Sequence, residues 1–173
     1  KEDMEMVLVF TATKDGADFV VRRLQHNGIS AIEIHSNLSQ RERQESFEGF
    51  KSGKYRVLVA TDIAARGIDI EGISHVVNYD VPRYAEDYIH RIGRTGRATA
   101  TGDAITFVGY EEEEFLSKIE EFIGKKFERK SYPGFDHGTN RPGVEDLGSE
   151  ISELGQFQVR EGGNRPSLGD HPR

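Results

Sequence analysis

Three arginines separated by glycines form the part of the sequence best suited to phosphate chemistry. Arg91, Arg94 and Arg97 occur with Gly93 and Gly96 between them, and no acidic residue stands among them. Arg94 and Arg97 are three positions apart, so on a helical turn both guanidinium groups project the same way. Each planar guanidinium can bond two oxygens of a phosphoryl group, and each glycine lets a ligand approach the backbone. The alternative is that these arginines form surface ion pairs with the acidic helices.

The sequence lacks the loop that would cradle the phosphates of a nucleotide. No GxxxxGK followed by Ser or Thr occurs, since Gly124-Lys125 precedes Lys126 and Ile119 stands where the first glycine would be. Asp80 resembles a Mg²⁺ ligand at the end of an apolar run, but the Val81-Pro82 that follows favours a role in a turn. Arginines without a phosphate loop suggest half of a nucleotide site.

Short apolar runs alternate with longer amphipathic segments, and this alternation predicts the elements that position the arginines. The predicted strands are residues 7–10, 29–35, 56–60, 75–79 and 104–108, and the predicted helices are residues 14–27, 39–51, 82–92 and 111–124. Ser39 and Glu42 have the spacing of a capping box. The alternation predicts βαβ units, and so an α/β fold with a mostly parallel central sheet and helices on both faces. The strands are continuous apolar runs, as burial on both faces requires.

Ligands of open parallel sheets bind beyond the carboxyl ends of the strands. Three segments emerge there: Thr11-Ala12-Thr13, residues 61–69 and residues 90–97. We therefore expect the candidate site at this edge of the sheet.

Four segments resemble the motifs of DEAD-box RNA helicases, in their order and spacing. Residues 57–70 (VLVATDIAARGIDI) resemble motif V, and residues 88–97 (YIHRIGRTGR) resemble motif VI without a break. Residues 7–14 are similar to motif IV, and Gln40-Arg41-Glu42-Arg43 fits the QxxR of motif IVa. The resemblance covers about residues 5–125. Within the family, the sequence is most similar to the bacterial RhlE-like group. The resemblance implies the second, C-terminal RecA-like domain of such a helicase, a three-layer α/β/α sandwich.

The resemblance also implies a role for each matching residue, with ATP as the cofactor and Mg²⁺ held mainly by the first RecA-like domain. These roles are Arg94 and Arg97 as arginine fingers on the γ-phosphate, Gly67 and Asp69 at the ATP ribose, Arg66, His90 and Arg91 against the first domain, and Gln40, Arg43 and Thr61 along the RNA backbone. Backbone contacts of this kind tolerate any base sequence. From the residues alone, Thr61 or Gln40 could instead cap a helix and His90 could be a packed core histidine, and we interpret His35 as structural.

The amino-acid composition excludes several classes of protein and several kinds of site. The 173 residues carry a net charge of −7, which argues against a protein that binds nucleic acid over a broad basic face. Without cysteine, disulfides and thiolate metal sites are excluded, and the six histidines lack a zinc-binding spacing. No apolar run approaches the roughly 20 residues that span a bilayer, and no secretory leader opens the chain. We therefore expect a cytoplasmic protein with no membrane contact and no metal ligands of its own. The chain begins at Lys1, which suggests a fragment.

The composition changes near residue 131. Residues 131–173 contain four prolines and eight glycines, with four basic against seven acidic side chains, so we expect a domain over residues 1–130 and an acidic tail over 131–173. Within the tail, the apolar spacing over residues 144–154 suits a short helix that could bind a protein partner. Three other functions stay open: a superfamily-2 DNA helicase or translocase domain, a stand-alone RNA-binding module, and a protein-interaction domain.

Overall fold

A computed structural model describes residues 4–66, 70–95 and 102–130, and the backbone of residues 156–160. Five parallel strands form the centre of its sheet, and two antiparallel strands extend one edge, in the order β2-β3-β1-β4-β5-β7-β6. The strands are β1 (Val7–Thr11), β2 (Ala31–Ile34), β3 (Val57–Thr61), β4 (His75–Asn78), β5 (Asp103–Phe107), β6 (Arg129–Lys130) and β7 (Gln156–Arg160).

Helices cover both faces of this sheet, so the predicted three-layer α/β/α arrangement with a mostly parallel sheet is confirmed. The helices are α1 (Lys14–His26), α2 (Gln40–Lys51), α3 (Asp62–Ala65), α4 (Ala85–Ile92) and α5 (Glu113–Ile123). Helix α1 packs on one face with Val9 and Val59, and helix α2 packs on the other with Leu8 and Leu58. Helices α4 and α5 join the same layer as α2, against β5.

Burial on both faces explains why the strands are apolar throughout. All five residues of β1 are buried, and alternate residues of β1 belong to different core clusters above and below the sheet. A central parallel strand has no solvent-facing side, so it cannot alternate apolar with polar residues.

The predicted helix boundaries hold to within a few residues, and the predicted capping box at Ser39 and Glu42 is present. One start differs: residues 82–84 precede α4 rather than open it. The Glu112 carboxylate accepts hydrogen bonds at 2.8 Å from the backbone N–H groups of Val81 and Gly109. These bonds hold the chain around Pro82 as a connection, and the helix begins at Ala85.

Three elements were not predicted. Helix α3 has four residues and strand β6 has two, and segments this short show no hydrophobic periodicity in the sequence. Strand β7 falls in the segment interpreted as a tail and pairs antiparallel with β5. The predicted helix over residues 144–154 lies outside the described residues, and the domain boundary at residue 130 stays a prediction.

Helix α5 ends in a charged network that can be tested for its contribution to stability. Glu120 is 2% exposed and accepts hydrogen bonds from Lys126 Nζ at 2.6 Å and from the Phe127 N–H at 2.9 Å. Burial alone would raise the pKa of Glu120, but these bonds outweigh burial and hold its pKa below the usual value. The carboxylate therefore stabilises the fold above its unfolded pKa, and this contribution is lost as the pH falls through the folded pKa.

We expect Glu120→Gln to lower the free energy of unfolding by about 1 kcal/mol at pH 7, because charge-assisted hydrogen bonds become neutral ones. The difference from the wild type should shrink as the pH falls through the folded pKa of Glu120. A series of urea unfolding curves from pH 7 downward measures it, with the exposed neighbour Glu121→Gln as the control. Equal effects of the two substitutions would contradict a special role for Glu120.

Candidate functional site

The carboxyl ends of three adjacent strands meet at one edge of the sheet. Thr11 at the end of β1 pairs in register with Thr61 of β3, and Phe10 pairs with Asn78 of β4. The chain leaves β1 toward β2 and leaves β4 toward β5, in opposite directions along the sheet. Ligands of open α/β sheets bind where such connections diverge. This geometry places the candidate site between β1 and β4.

A cleft of about 260 Å³ lies at this edge. It is lined by Phe10, Asp62, Ala65, Arg66, Asp87, His90, Arg91 and Arg94. Four of these residues were predicted as site residues from the sequence, and the fold brings them together from α4 and from the segment that follows β3. The cleft thus joins the two segments that resemble motifs V and VI.

Arg91 is the buried centre of the cleft wall, with 2% of its surface exposed. Its Nε and Nη2 each donate to one carboxylate oxygen of Asp62 at 2.7 Å. Its Nη1 donates to Asn78 Oδ1 at 3.1 Å and to the Asp80 carbonyl oxygen at 2.8 Å. The guanidinium also lies over the Phe10 ring, 5.0 Å from its centroid. One side chain therefore holds the ends of β1 and β4 and the start of α3.

These bonds bear on the role that was predicted for Arg91. The resemblance implies contact with another domain, whereas in this structure the guanidinium is bonded within its own domain. A buried cation needs partners on every side, and the domain itself provides them. Direct contact between Arg91 and another lobe stays a prediction.

The remaining charges of the cleft come from Arg66, Arg94 and Asp87, with His90 beside them. Arg66 and His90 are exposed and Arg94 is half-buried. Among the described lining residues, and with Asp62 bonded to Arg91, two further arginines stand against one further carboxylate. The cleft therefore suits an anionic ligand.

Arg94 stands in the turn that follows α4. Its backbone N–H donates to the Arg91 carbonyl oxygen at 3.2 Å, and Gly93 is the C-cap. A Cβ at Gly93 would lie 3.1 Å from the Ile89 carbonyl oxygen, so crowding at the helix end accounts for this glycine. Three other predicted site residues, Gly67, Asp69 and Arg97, lie outside the described residues.

The residues predicted to contact RNA lie toward the β2 and β3 side of the same edge. Gln40 is exposed at the first position of α2, and the cap of that helix is Ser39. Thr61 ends β3, and its side chain makes no capping bond to α3. The Nε of Arg43 is buried and has no hydrogen-bond partner. Gln40 is therefore not the cap of α2, whereas Thr61 occupies the N-cap position of α3 without a side-chain capping bond.

Sequence reasoning missed five residues of the site region: Phe10, Asp62, Ala65, Asn78 and Asp87. Asn78 could have been found from the sequence, because it is a polar residue at the end of a predicted buried strand. In the structure it is fully buried between Arg91 and the hydroxyl of Thr106. The structural interpretation of Asp80 agrees with its bonds, since its Oδ2 accepts the Ala12 N–H at 2.7 Å.

His35 also has structural surroundings. It is 6% exposed, and its Nε2 lies 3.1 Å from Asp18 Oδ1 of α1. Within the described ranges, no group of three His, Asp or Glu side chains could hold a metal ion, and no helix is long and apolar enough to cross a membrane.

We expect Asp62→Ala to destabilise the fold by about 3 kcal/mol, because it leaves the buried Arg91 without its bidentate partner. Asp15→Ala is the matched control, since Asp15 is an exposed acid in the first turn of α1, where its loss costs only a few tenths of a kcal/mol. Urea unfolding of both variants measures the difference. A loss for Asp62→Ala no larger than that of the control would contradict this account of the buried ion pair.

Comparisons with known proteins agree with this geometry. Residues 1–99 match the family described as the helicase conserved C-terminal domain. The chain is 46% identical over 129 residues to the ATP-dependent RNA helicase RhlB of Pseudomonas syringae, which covers 75% of the chain and 32% of the relative. It is 44% identical over 152 residues to the DEAD-box ATP-dependent RNA helicase CshA of Bacillus subtilis, covering 86% and 31%. The chain thus spans about a third of the length of these relatives.

Solved structures extend the likeness to the fold. The E. coli DEAD-box protein SrmB, bound to regulator of ribonuclease activity A, matches with a TM-score of 0.70 and 36% identity, over 72% of this chain and 74% of that one. Dbp5 of S. cerevisiae bound to RNA and ADP BeF3 matches with a TM-score of 0.65 and 37% identity, over 72% of this chain and 34% of that one. The RhlE-like subgroup stays a prediction, but the RecA-like fold is confirmed, and the chain belongs to the family of helicase C-terminal domains, as found in DEAD-box RNA helicases.

Proposed function

We propose that this chain is the second RecA-like domain of an ATP-dependent DEAD-box RNA helicase and that it completes an ATP site held mainly by another domain. The observation that carries the proposal is the cleft at the divergence of β1 and β4, where Arg66, His90 and Arg94 converge around the buried Arg91. The chain has cations for phosphate oxygens and no phosphate-binding loop of its own. Hydrolysis therefore needs two domains, and the chain alone is inactive.

The residues of the cleft fit a nucleotide triphosphate and leave Mg²⁺ to the other domain. Asp62 already has both carboxylate oxygens bonded to Arg91, so Asp87 is the remaining acid among the described lining residues. Bound ATP supplies the phosphoryl group to be transferred. Arg94 and Arg97 would bind its γ-phosphate, and Gly67 and Asp69 would contact its ribose, as the family resemblance implies.

Arginine fingers account for a large share of the rate in such sites. A guanidinium stabilises the charge that develops on the transferring phosphoryl group, and this is worth roughly 10³–10⁵ in rate. In a site divided between two domains, this gain exists only when they close. We infer that RNA favours the closed arrangement, so hydrolysis depends on RNA and is coupled to local unpairing of a duplex.

RNA binding is assigned to the neighbouring part of the same edge, with Gln40, Arg43 and Thr61 along the backbone. The exposed Gln40 amide and the Thr61 hydroxyl, which makes no capping bond to α3, support this assignment. Arg43 is included on the family resemblance alone. Such groups bind phosphate and ribose without reading bases, so binding would be salt-sensitive and tolerant of sequence. Thr61 directly precedes Asp62, which joins the proposed RNA contacts to the cleft.

Other partners of the chain are also proposals. The exposed Arg66 and His90 are suited to contact the first RecA-like domain. SrmB is described as bound to a regulator of ribonuclease activity, and the Dbp5 C-terminal domain as bound to Gle1. A protein partner at residues 144–154 and a cytoplasmic location stay predictions.

The test is Arg94→Ala, and separately Arg97→Ala, in the full-length protein with saturating RNA. We expect ATP turnover to fall by at least about two orders of magnitude, because each variant removes charge stabilisation from the transition state. ATP and RNA affinities should change by less than about three-fold.

Two controls make this result specific. Arg94→Lys keeps the charge but loses the planar fork, so turnover should stay well below that of the wild type. Arg23→Ala removes an exposed arginine of α1 outside the cleft and should leave turnover unchanged. Near-normal turnover of Arg94→Ala and Arg97→Ala would return both arginines to the surface ion-pair interpretation.

A further inference from the structure

The hydroxyl of Thr95 hydrogen-bonds the turn after α4 to the backbone that leads into β4. Thr95 Oγ1 lies 2.6 Å from the Ile73 carbonyl oxygen and 3.3 Å from the Ser74 carbonyl oxygen. A hydroxyl has one proton to donate, and the shorter distance marks Ile73 as the principal acceptor. Ile73 is 5% exposed and belongs to the core cluster that includes Leu8 and Leu58. The turn is thus bonded to backbone anchored in the core.

This bond joins the turn that carries Arg94 to the connection that leads into β4. Ile73 and Ser74 directly precede β4, and Thr95 directly follows Arg94 in the segment that resembles motif VI.

The segment that carries Arg94 is held at both ends of β4. On one side of Arg94 in the chain, Arg91 bonds Asn78 and Asp80 at the carboxyl end of the strand. On the other side, Thr95 bonds the backbone just before its amino end. A strand of four residues spans about 13 Å. The two bonds therefore define the direction of the segment as well as its position.

Helical hydrogen bonds alone do not provide this attachment. The N–H groups of Arg94 and Thr95 donate to the carbonyl oxygens of Arg91 and Ile92, at 3.2 and 3.1 Å. These bonds tie the turn to the end of α4, whereas the Thr95 hydroxyl ties it to the β-sheet layer.

We propose that Thr95 is a positioning residue for Arg94: its hydroxyl holds the turn after α4 so that the guanidinium meets the transferring phosphoryl group. The inference rests on the proposed function. A group that stabilises a transition state must be held within about 0.5 Å of its productive position. Arginine side chains are long, so a small shift of their backbone moves the charged end further.

The test compares Thr95→Val with Thr95→Ser in the full-length protein. Valine has nearly the shape of threonine but no hydroxyl, while serine keeps the donor. We expect Thr95→Val to lower RNA-stimulated kcat about ten-fold, with KM for ATP within about two-fold, and Thr95→Ser to keep at least half of the wild-type kcat. Thermal unfolding of both variants reports the folded fraction, to which the rates are normalised.

Combination with Arg94→Ala separates positioning from a general structural role. If Thr95 acts through Arg94, the double variant Thr95→Val with Arg94→Ala is as slow as Arg94→Ala alone. A further ten-fold loss in the double variant, or an unchanged kcat for Thr95→Val beside a slow Arg94→Ala, would overturn the role of Thr95 and leave the proposed function intact. Near-normal turnover of Arg94→Ala itself would overturn both.

Discussion

The buried guanidinium of Arg91 is the interaction on which the rest of the site depends. Burial of a cation is unfavourable unless hydrogen bonds and an opposite charge surround it. Arg91 meets this requirement with both oxygens of Asp62, the Asn78 amide and the Asp80 carbonyl. Each partner comes from a different point at the carboxyl edge of the sheet. The need to satisfy one charge therefore fixes where α3 begins and how α4 lies across β4.

Different side chains of the cleft maintain its structure and face its open side. Arg91 and Asp62 neutralise each other inside the domain, while Arg66, His90 and Arg94 line the open side of the cleft. Arg66 and His90 are exposed and Arg94 is half-buried, whereas the fully bonded Arg91 gives the wall its shape. The sequence has no phosphate-binding loop, so under the proposed function the open side of the cleft would meet a triphosphate held by another domain. Hydrolysis would then depend on closure, because neither domain alone would hold all the charges that the transition state needs.

The layers of the fold and most of the site could be predicted from the sequence, but its internal bonds could not. Continuous apolar strands and a capping box at Ser39 are local signals, so the sheet and α2 were predictable. The family resemblance placed Arg66, His90 and Arg94 in one site. It did not reveal that Arg91 faces inward, because the partners of a buried side chain depend on the packing of β1 against β4. Helix α3 is too short for a periodic signal, and the start of α4 depends on bonds made by the distant Glu112.

The proposed roles of Arg94 and Arg97 require that both bind a triphosphate held by a second domain. A crystal structure of the full-length protein with RNA and a non-hydrolysable ATP analogue would give the distances from each guanidinium to the γ-phosphate oxygens. We expect hydrogen bonds of about 3 Å from both side chains, with the two domains closed around the nucleotide. Both guanidinium groups pointing into bulk solvent in that closed complex would rule out these roles.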